Sequence, residues 1–308
     1  MSSPESLLAA VENNLAGAAG DARRLFHGRG RRFEGLEHVS IDYFHPLVLI
    51  TLFAEVEQDW LDQLTDNLLT LIEPLGITGL GVQRRNRKDV PVELLWGELP
   101  HKPTAQERGL RYGLQLGGRQ NLGFFLDMAI ARQWLAERAA GKRVLNLFAY
   151  TCAFSVVARA AGAGSVVNLD MSASALRQGQ QNHQRNGILD GTRFLSHDLF
   201  RSWGKLRRLA PFDVLVVDPP SRQPGSFIAD KDYRRVIAKL PGLCAEGAEL
   251  LLCLNSPHLE SAFLRELVTE HAPELEFQQR LPNPPQFADQ NPELSLKVLS
   301  YRYPGAAV

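Results

Sequence analysis

The chain has 308 residues, 44% of them hydrophobic and 22% charged, with 34 Lys+Arg balanced by 34 Asp+Glu. That composition suits a globular chain with one large core or two smaller ones, and it excludes a surface coated throughout in phosphate-binding charge. Three scattered cysteines, Cys152, Cys244 and Cys253, exclude a disulfide framework and lack the paired spacing of a zinc site, so no metal is expected. The chain shows neither a signal pattern nor an apolar run long enough to span a bilayer, which points to the cytoplasm and away from a membrane.

Leu7, Leu8, Val11, Leu15 and Ala18 recur at helical spacing and predict a helix over residues 1 to about 25. Residues 38–43 and 47–52 alternate as strands, and apolar positions from Trp60 to Ile72 line one face of a helix. Short strands at 79–83 and 93–97 flank the basic run Arg84-Arg85-Asn86-Arg87-Lys88, which belongs on a loop or hairpin tip. A second basic cluster is Arg29-Gly30-Arg31-Arg32, preceded by Arg23 and Arg24. A polar stretch with Pro103 and Gly109 places a domain border at 108/109, with residues 112–116 as an extended link. Beyond it, strands at 143–148, 165–169, 192–195, 213–217, 248–254 and 275–279 alternate with helices near 127–139, 153–161, 172–186, 230–243 and 259–271. Such alternation is the pattern of a mostly parallel α/β sheet.

In such sheets ligands sit at the carboxyl ends of the strands, near the first strand-helix turn. That turn is Phe148-Ala149-Tyr150-Thr151-Cys152. The next strand ends in Asp170, at the separation required for a carboxylate to accept both hydroxyls of a ribose. The third strand leads to Asp198, placed either for an adenine amine or as a helix cap. The fourth ends in Asp218-Pro219-Pro220-Ser221, where the prolines stop the ladder and hold Asp218 rigidly at the sheet edge. The first two of these elements also fit a dinucleotide-binding domain, although the glycine fingerprint is absent.

These segments resemble the class I S-adenosylmethionine-dependent methyltransferases, specifically the bacterial 23S ribosomal RNA methyltransferases of the I and K type. The resemblance rests on Asn146-Leu147-Phe148-Ala149-Tyr150-Thr151, Asp170-Met171-Ser172, Asn182, Asn186-Gly187 and Asp218-Pro219-Pro220-Ser221. Gly123-Phe124-Phe125-Leu126-Asp127, residues 93–98 and Leu110-Arg111-Tyr112 extend it. It implies a seven-stranded Rossmann-like methyltransferase sheet (residues 109–308) behind a smaller N-terminal α/β domain that faces RNA (residues 1–108). S-adenosylmethionine is the implied cofactor. Its implied contacts are Asp127 at the methionine end, Asn146, Phe148, Ala149, Tyr150 and Thr151 in the loop, Asp170 and Met171 at the ribose, and Asp198 and Asp218. The chain departs from the family at Cys152, where glycine is usual, and at Met128-Ala129, where a basic or polar pair is frequent.

The turn after strand 248–254 bears on the acceptor base. The cytosine-C5 branch of the family carries a nucleophilic cysteine there, because that carbon must first be attacked by a thiolate. Here the aligned pair is Asn255-Ser256. A serine hydroxyl cannot replace the thiolate without a base, so the pair looks closer to the K-type branch, which methylates guanine N7. Asp218, Pro219, Asn255 and Ser256 are therefore the expected catalytic residues. Arg31, Arg32, Arg84, Arg85, Arg87 and Lys88 are the expected RNA contacts, with Phe227 stacking on an exposed base or, in the plainer alternative, packing locally. A cytosine-C5 enzyme, a small-molecule or protein methyltransferase and a non-catalytic RNA-binding protein stay open as alternatives.

Overall fold

The computed structural model describes residues 5–16, 20–118, 120–223 and 225–305. It divides into two compact units, Met1–Leu126 with Pro284–Gln290, and Asp127–Asn283 with Asn291–Val308. The expected border at 108/109 lies instead in the turn of a hairpin of the first unit, between Glu107 and Leu110.

The first unit begins with helix α1 (Glu5–Leu15) and strand β1 (Arg23–His27). The single long helix expected there is thus corrected: from Arg23 the chain pairs in an antiparallel ladder with β2 (Val39–Phe44), and the expected helical position Ala18 lies outside the described residues. β2 pairs antiparallel with β3 (Leu47–Leu52), helix α2 (Gln58–Ile72) crosses over, and β4 (Gly79–Arg84) pairs parallel with β3. β5 (Val92–Gly97) completes a five-stranded sheet in the order β1-β2-β3-β4-β5. Leu61, Leu64, Leu68 and Ile72, spaced by three or four along α2, bury its apolar stripe with Leu7 and Val11 of α1. β6 (Thr104–Glu107) and β7 (Leu110–Gly113) form the border hairpin, so the expected extended link begins as a paired strand.

The second unit holds helix α3 (Ala129–Ala136), β8 (Arg143–Leu147), α4 (Ala153–Ala160), β9 (Ser165–Asp170), α5 (Ala173–Arg185), β10 (Thr192–Ser196), α6 (Trp203–Leu209) and β11 (Phe212–Val217). The two-stranded ribbon β12 (Arg222–Gln223) and β13 (Phe227–Ile228) comes next, then α7 (Ala229–Ile237), β14 (Cys244–Leu254), α8 (Ser261–His271), β15 (Glu276–Leu281) and β16 (Lys297–Tyr303). The seven-stranded sheet runs β10-β9-β8-β11-β14-β16-β15, with β16 antiparallel to both of its neighbours. Strand β16 and helix α6 are additions to the expected elements. Cys244 opens strand β14. Side chains alternate across the sheet as the period of two requires. Leu145, Leu147, Leu215, Val217, Leu250 and Leu252 pack on one face with α6, α7 and α8, while Val144, Val214, Val216, Leu251 and Cys253 pack on the other with α3 and α4. The chain order reverses at β8, between β9 and β11, which is the switch point where ligands bind in open sheets.

Candidate functional site

The loop after β8 carries three non-glycine residues in the left-handed region: Phe148 (φ 58°), Tyr150 (φ 47°) and Cys152 (φ 61°). Each costs about 1–2 kcal/mol relative to ordinary backbone, so the surroundings must hold the loop in place. They do so through backbone groups. Asp170 accepts the Tyr150 N–H at 2.8 Å and the Ser172 N–H at 2.7 Å, one on each carboxylate oxygen. Asn182 of α5 donates to the Thr151 carbonyl at 3.0 Å, and the Ala149 N–H reaches the Leu169 carbonyl at 3.1 Å. Asp170 therefore fixes the loop and its own turn, and it keeps acceptor lone pairs for a ligand hydroxyl.

Cys152 occupies the usual glycine position with its side chain wholly buried against Ala149, Leu176 and Phe194. Room for it comes from Gly179 on α5, because a methyl group there would fall 2.9 Å from the Cys152 Cβ and closer still to its sulfur. Burial, and after it the charge of Asp170, push the thiol well above its ordinary range. The glycine is thus displaced in sequence but retained at the contact.

Beneath the loop a buried polar chain runs in one direction. Asn146 donates to Asn168 at 2.9 Å, Asn168 to Ser155 Oγ at 2.9 Å, and Ser155 meets His183 Nε2 at 2.9 Å. His183 Nδ1 lies 2.8 Å from the Gly179 carbonyl, which fixes the tautomer: Nδ1–H donates and Nε2 accepts from Ser155. Burial lowers the His183 pKa and favours this neutral form. Asn146, expected among the cofactor contacts, commits its side chain to this buried chain. That side chain is buried with Asn168 inside the sheet, where an unpaired amide would be costly.

The strand ends across the switch point bring the remaining residues together. Asp218 follows β11 and is partly buried. Its carboxyl is pushed up to about 7, first by burial, then by the charge of Asp127, with the buried Arg132 opposing. A carboxylate pair of this kind favours the arrival of a cation. Tyr233, fully buried on α7, donates to the Cys253 carbonyl at 2.9 Å and lies 3.4 Å from the Val217 carbonyl, clamping the residues before Asn255 and Asp218. Ser221 Oγ donates to the Asn255 carbonyl. Ser256 is buried, and its hydroxyl accepts the His258 N–H at 3.3 Å. Lys297, wholly buried at the start of β16, donates to the Ser256 carbonyl at 2.5 Å and the Glu293 carbonyl at 2.6 Å. Asn255 is exposed on this fastened turn, and Pro219 is buried beside Asp218.

Asp198 caps the short helix after β10 through the Phe200 N–H at 2.8 Å, and Met171 is 49% exposed beside Asp170. Phe227 is a correction. It is 0% exposed, edge-on to Phe148 at 5.1 Å and to Tyr233 at 5.7 Å, so it packs the core beneath the loop and cannot stack on a base. The β12–β13 ribbon turns it inward. Sequence reasoning did not single out Tyr233, Lys297, Gly179 or the Asn168–Ser155–His183 chain. The β-branched and aromatic run of β16 was the one available signal for Lys297's strand.

In the first unit the basic run is unevenly available. Arg84 is buried and paired with Glu93 at 3.0 Å, and Arg87 pairs with Glu55 at 2.9 Å and Glu93 at 3.4 Å. Arg31, Arg32 and Lys88 are exposed, and Arg85 is half-buried.

The family model for S-adenosylmethionine-dependent methyltransferases matches residues 23–302. The chain belongs to that family. Among its relatives is the ribosomal RNA large subunit methyltransferase I of Aeromonas salmonicida, 28% identical over 248 residues that cover 78% of this chain and 63% of that protein. The enzyme of the same name from Shewanella denitrificans is 31% identical over 258 residues, covering 78% and 62%. The ribosomal RNA large subunit methyltransferase K/L of Hahella chejuensis is 28% identical over 229 residues, covering 70% and 32%. The chain thus spans about three-fifths of the length of the I-type relatives and about a third of the K/L protein. The solved structure of SMU.776 complexed with SAH shares the fold, with a TM-score of 0.85, 24% identity, and coverage of 96% of this chain and 80% of that one. The methyltransferase sheet expected from the sequence is therefore present, and S-adenosylmethionine is the methyl donor of the family. Among the described residues no helix is long and apolar enough to cross a membrane.

Proposed function

We propose that this methyltransferase acts in the cytoplasm on a base of 23S ribosomal RNA, with guanine N7 as the acceptor atom. The names of the I and K/L relatives support the RNA substrate. The observation that carries the choice of atom is the state of the thiols. All three cysteines have raised pKa values through burial: Cys244 to about 12, Cys152 and Cys253 well above their ordinary range. None offers the thiolate that attack on cytosine C5 needs. Guanine N7 has its own lone pair and loses no proton, so alignment suffices.

The residues fit the cofactor. Asp170 has acceptor capacity for the ribose hydroxyls, Met171 offers an exposed apolar surface for the adenine, and Asp198 stands at the next strand end for its amine. Phe148, Ala149, Tyr150 and Thr151 form the loop around it, and Asp127 and Asp218 meet the cationic methionine end. When bound, S-adenosylmethionine supplies an electrophilic methyl on a sulfonium. Asn255 and the Ser256 turn then orient the base, while Pro219 holds the wall that keeps it in line. Asp218 and Asp127 would hold the negative charge that balances the cofactor's sulfonium and, after transfer, the methylated guanine.

The test is mass mapping of modified nucleosides in 23S RNA from cells lacking the chain, with add-back of purified protein and labelled cofactor. Loss and restoration of 7-methylguanosine is the expected result. Loss of 5-methylcytidine instead would overturn the choice of atom, and an unchanged nucleoside profile would overturn the RNA substrate.

A further inference from the structure

The two basic clusters, far apart in sequence, meet at one aromatic ring. The Arg29 guanidinium lies 4.4 Å from the centroid of the Phe53 ring, and the Arg85 guanidinium lies 5.4 Å from it. Phe53 is set by its backbone N–H, which donates to the His38 carbonyl at 2.8 Å. Arg85 also reaches the Gln120 side-chain oxygen at 3.4 Å.

The feature that needs explanation is the missing counterion. Among the described residues Arg84, Arg87 and Arg24 each pair with a carboxylate, whereas no carboxylate pairs with Arg29 or Arg85. Two guanidiniums gathered on one ring repel each other, and Arg85 is half-buried, so part of its hydration is lost as well. The two charges feel each other: burial, followed by the charges of Arg29 and Arg24, holds the Arg85 guanidinium below its ordinary range. An arrangement that concentrates positive charge without neutralising it is stabilised by an anion from outside, and guanidinium forks match phosphate oxygens in geometry. Tight backbone packing keeps Arg29 there. A methyl group on Gly28 would run into the Leu36 and Val39 carbonyls, and one on Gly30 into the Ala288 carbonyl.

We infer that Arg29 and Arg85, gathered on the ring of Phe53, form a two-pronged seat for a backbone phosphate of single-stranded RNA. This rests on the proposed RNA substrate and assigns the contact to two arginines rather than to the whole basic run. The ring favours a strand whose unpaired bases can stack nearby, since a duplex keeps its bases inside.

The test uses the full chain and a short fluorescein-labelled single-stranded RNA, with affinity measured by anisotropy over a series of salt concentrations. Each phosphate contact on a single strand contributes about 0.7 to the slope of log affinity against log salt. The Arg29→Gln/Arg85→Gln double variant, which removes the seat for one phosphate, is expected to lose about 0.7 from that slope. Arg207→Gln/Arg208→Gln, with the same charge change on α6, is expected to keep the wild-type slope. Phe53→Leu is expected to weaken binding to the single strand while keeping the slope, because the ring carries no charge. Circular dichroism and S-adenosylmethionine binding, unchanged in all variants, would show that they fold. A wild-type slope in the Arg29/Arg85 variant, or an equal loss in the α6 variant, overturns the seat and leaves the RNA substrate standing. A wild-type chain with no salt-dependent affinity for RNA overturns both.

Discussion

Cys152 and Gly179 are predicted to be coupled, and the coupling can be sized from their contact. Gly179→Ala places a methyl group 2.9 Å from the Cys152 Cβ and nearer to its sulfur. Overpacking of this kind costs about 1–3 kcal/mol, which outweighs the roughly 1 kcal/mol that alanine gains over glycine within a helix. Cys152→Gly releases about 1–2 kcal/mol of left-handed strain and loses a comparable amount of buried thiol packing, so it should be near neutral. In that background Gly179→Ala enters vacated space and stabilises by about 1 kcal/mol. The interaction energy of the pair is then about 2 kcal/mol in favour of the double variant. Native-state hydrogen exchange of α4 and α5 amides reads this locally, which matters because a chain of two units need not unfold in one step. An equal cost of Gly179→Ala in both backgrounds would refute the idea that this glycine makes room for Cys152.

The Asp218 carboxyl, raised from its ordinary 3.8 to about 7, is protonated in the folded chain over a range where the unfolded chain has lost the proton. Folding stability from this group therefore falls as pH rises between those values, and a bound cation offsets the loss. Calorimetry should show S-adenosylmethionine affinity rising by up to tenfold per pH unit towards about 7, then levelling; a flat profile, or an unchanged slope in Asp218→Asn, would refute the placement. Lys297→Met removes the donor to the Ser256 and Glu293 carbonyls and should cut methyl transfer by up to about a hundredfold through a shifted Asn255–Ser256 turn. Cofactor affinity should stay the same, and a parallel loss of both would point to general unfolding instead. Ser155→Ala breaks the buried chain between Asn168 and His183 and should cost about 1–3 kcal/mol, read by native-state hydrogen exchange of the α4 and α5 amides. A change below a few tenths would mean that the chain is not intact in solution.

The methyltransferase sheet and its strand-end acids were legible because each leaves a local mark. An apolar run stops, and a turn residue or carboxylate comes after it; Asp170 and Asp218 both announce themselves this way. The second layer leaves no such mark. Phe227 looked available because it follows a proline turn, and only the β12–β13 ribbon reveals that it faces Phe148 and Tyr233. Lys297 was invisible for the opposite reason: lysine is almost never wholly buried, so nothing in residues 294–300 suggests an ammonium held by two carbonyls. The basic run was legible as charge but not as availability, since Glu55 and Glu93 neutralise Arg84 and Arg87 from outside the run. Cys152 read as a defect in the loop until its partner on α5 was known.

The excursion of Pro284–Gln290 into the first unit has a practical meaning for anyone dissecting this chain. Phe287 there lies under the Arg24 guanidinium at 4.6 Å and beside His27 at 5.2 Å, and the Gln290 N–H ties back to the Gly30 carbonyl at 2.8 Å. Scission after Leu126 would strand that heptapeptide on the wrong fragment. The amino-terminal piece would lack a strap it normally wears, and the carboxyl-terminal piece would display an orphan phenylalanine. A severed pair should therefore find each other again through this segment, whereas a permutant opened elsewhere would keep the clasp within one polypeptide.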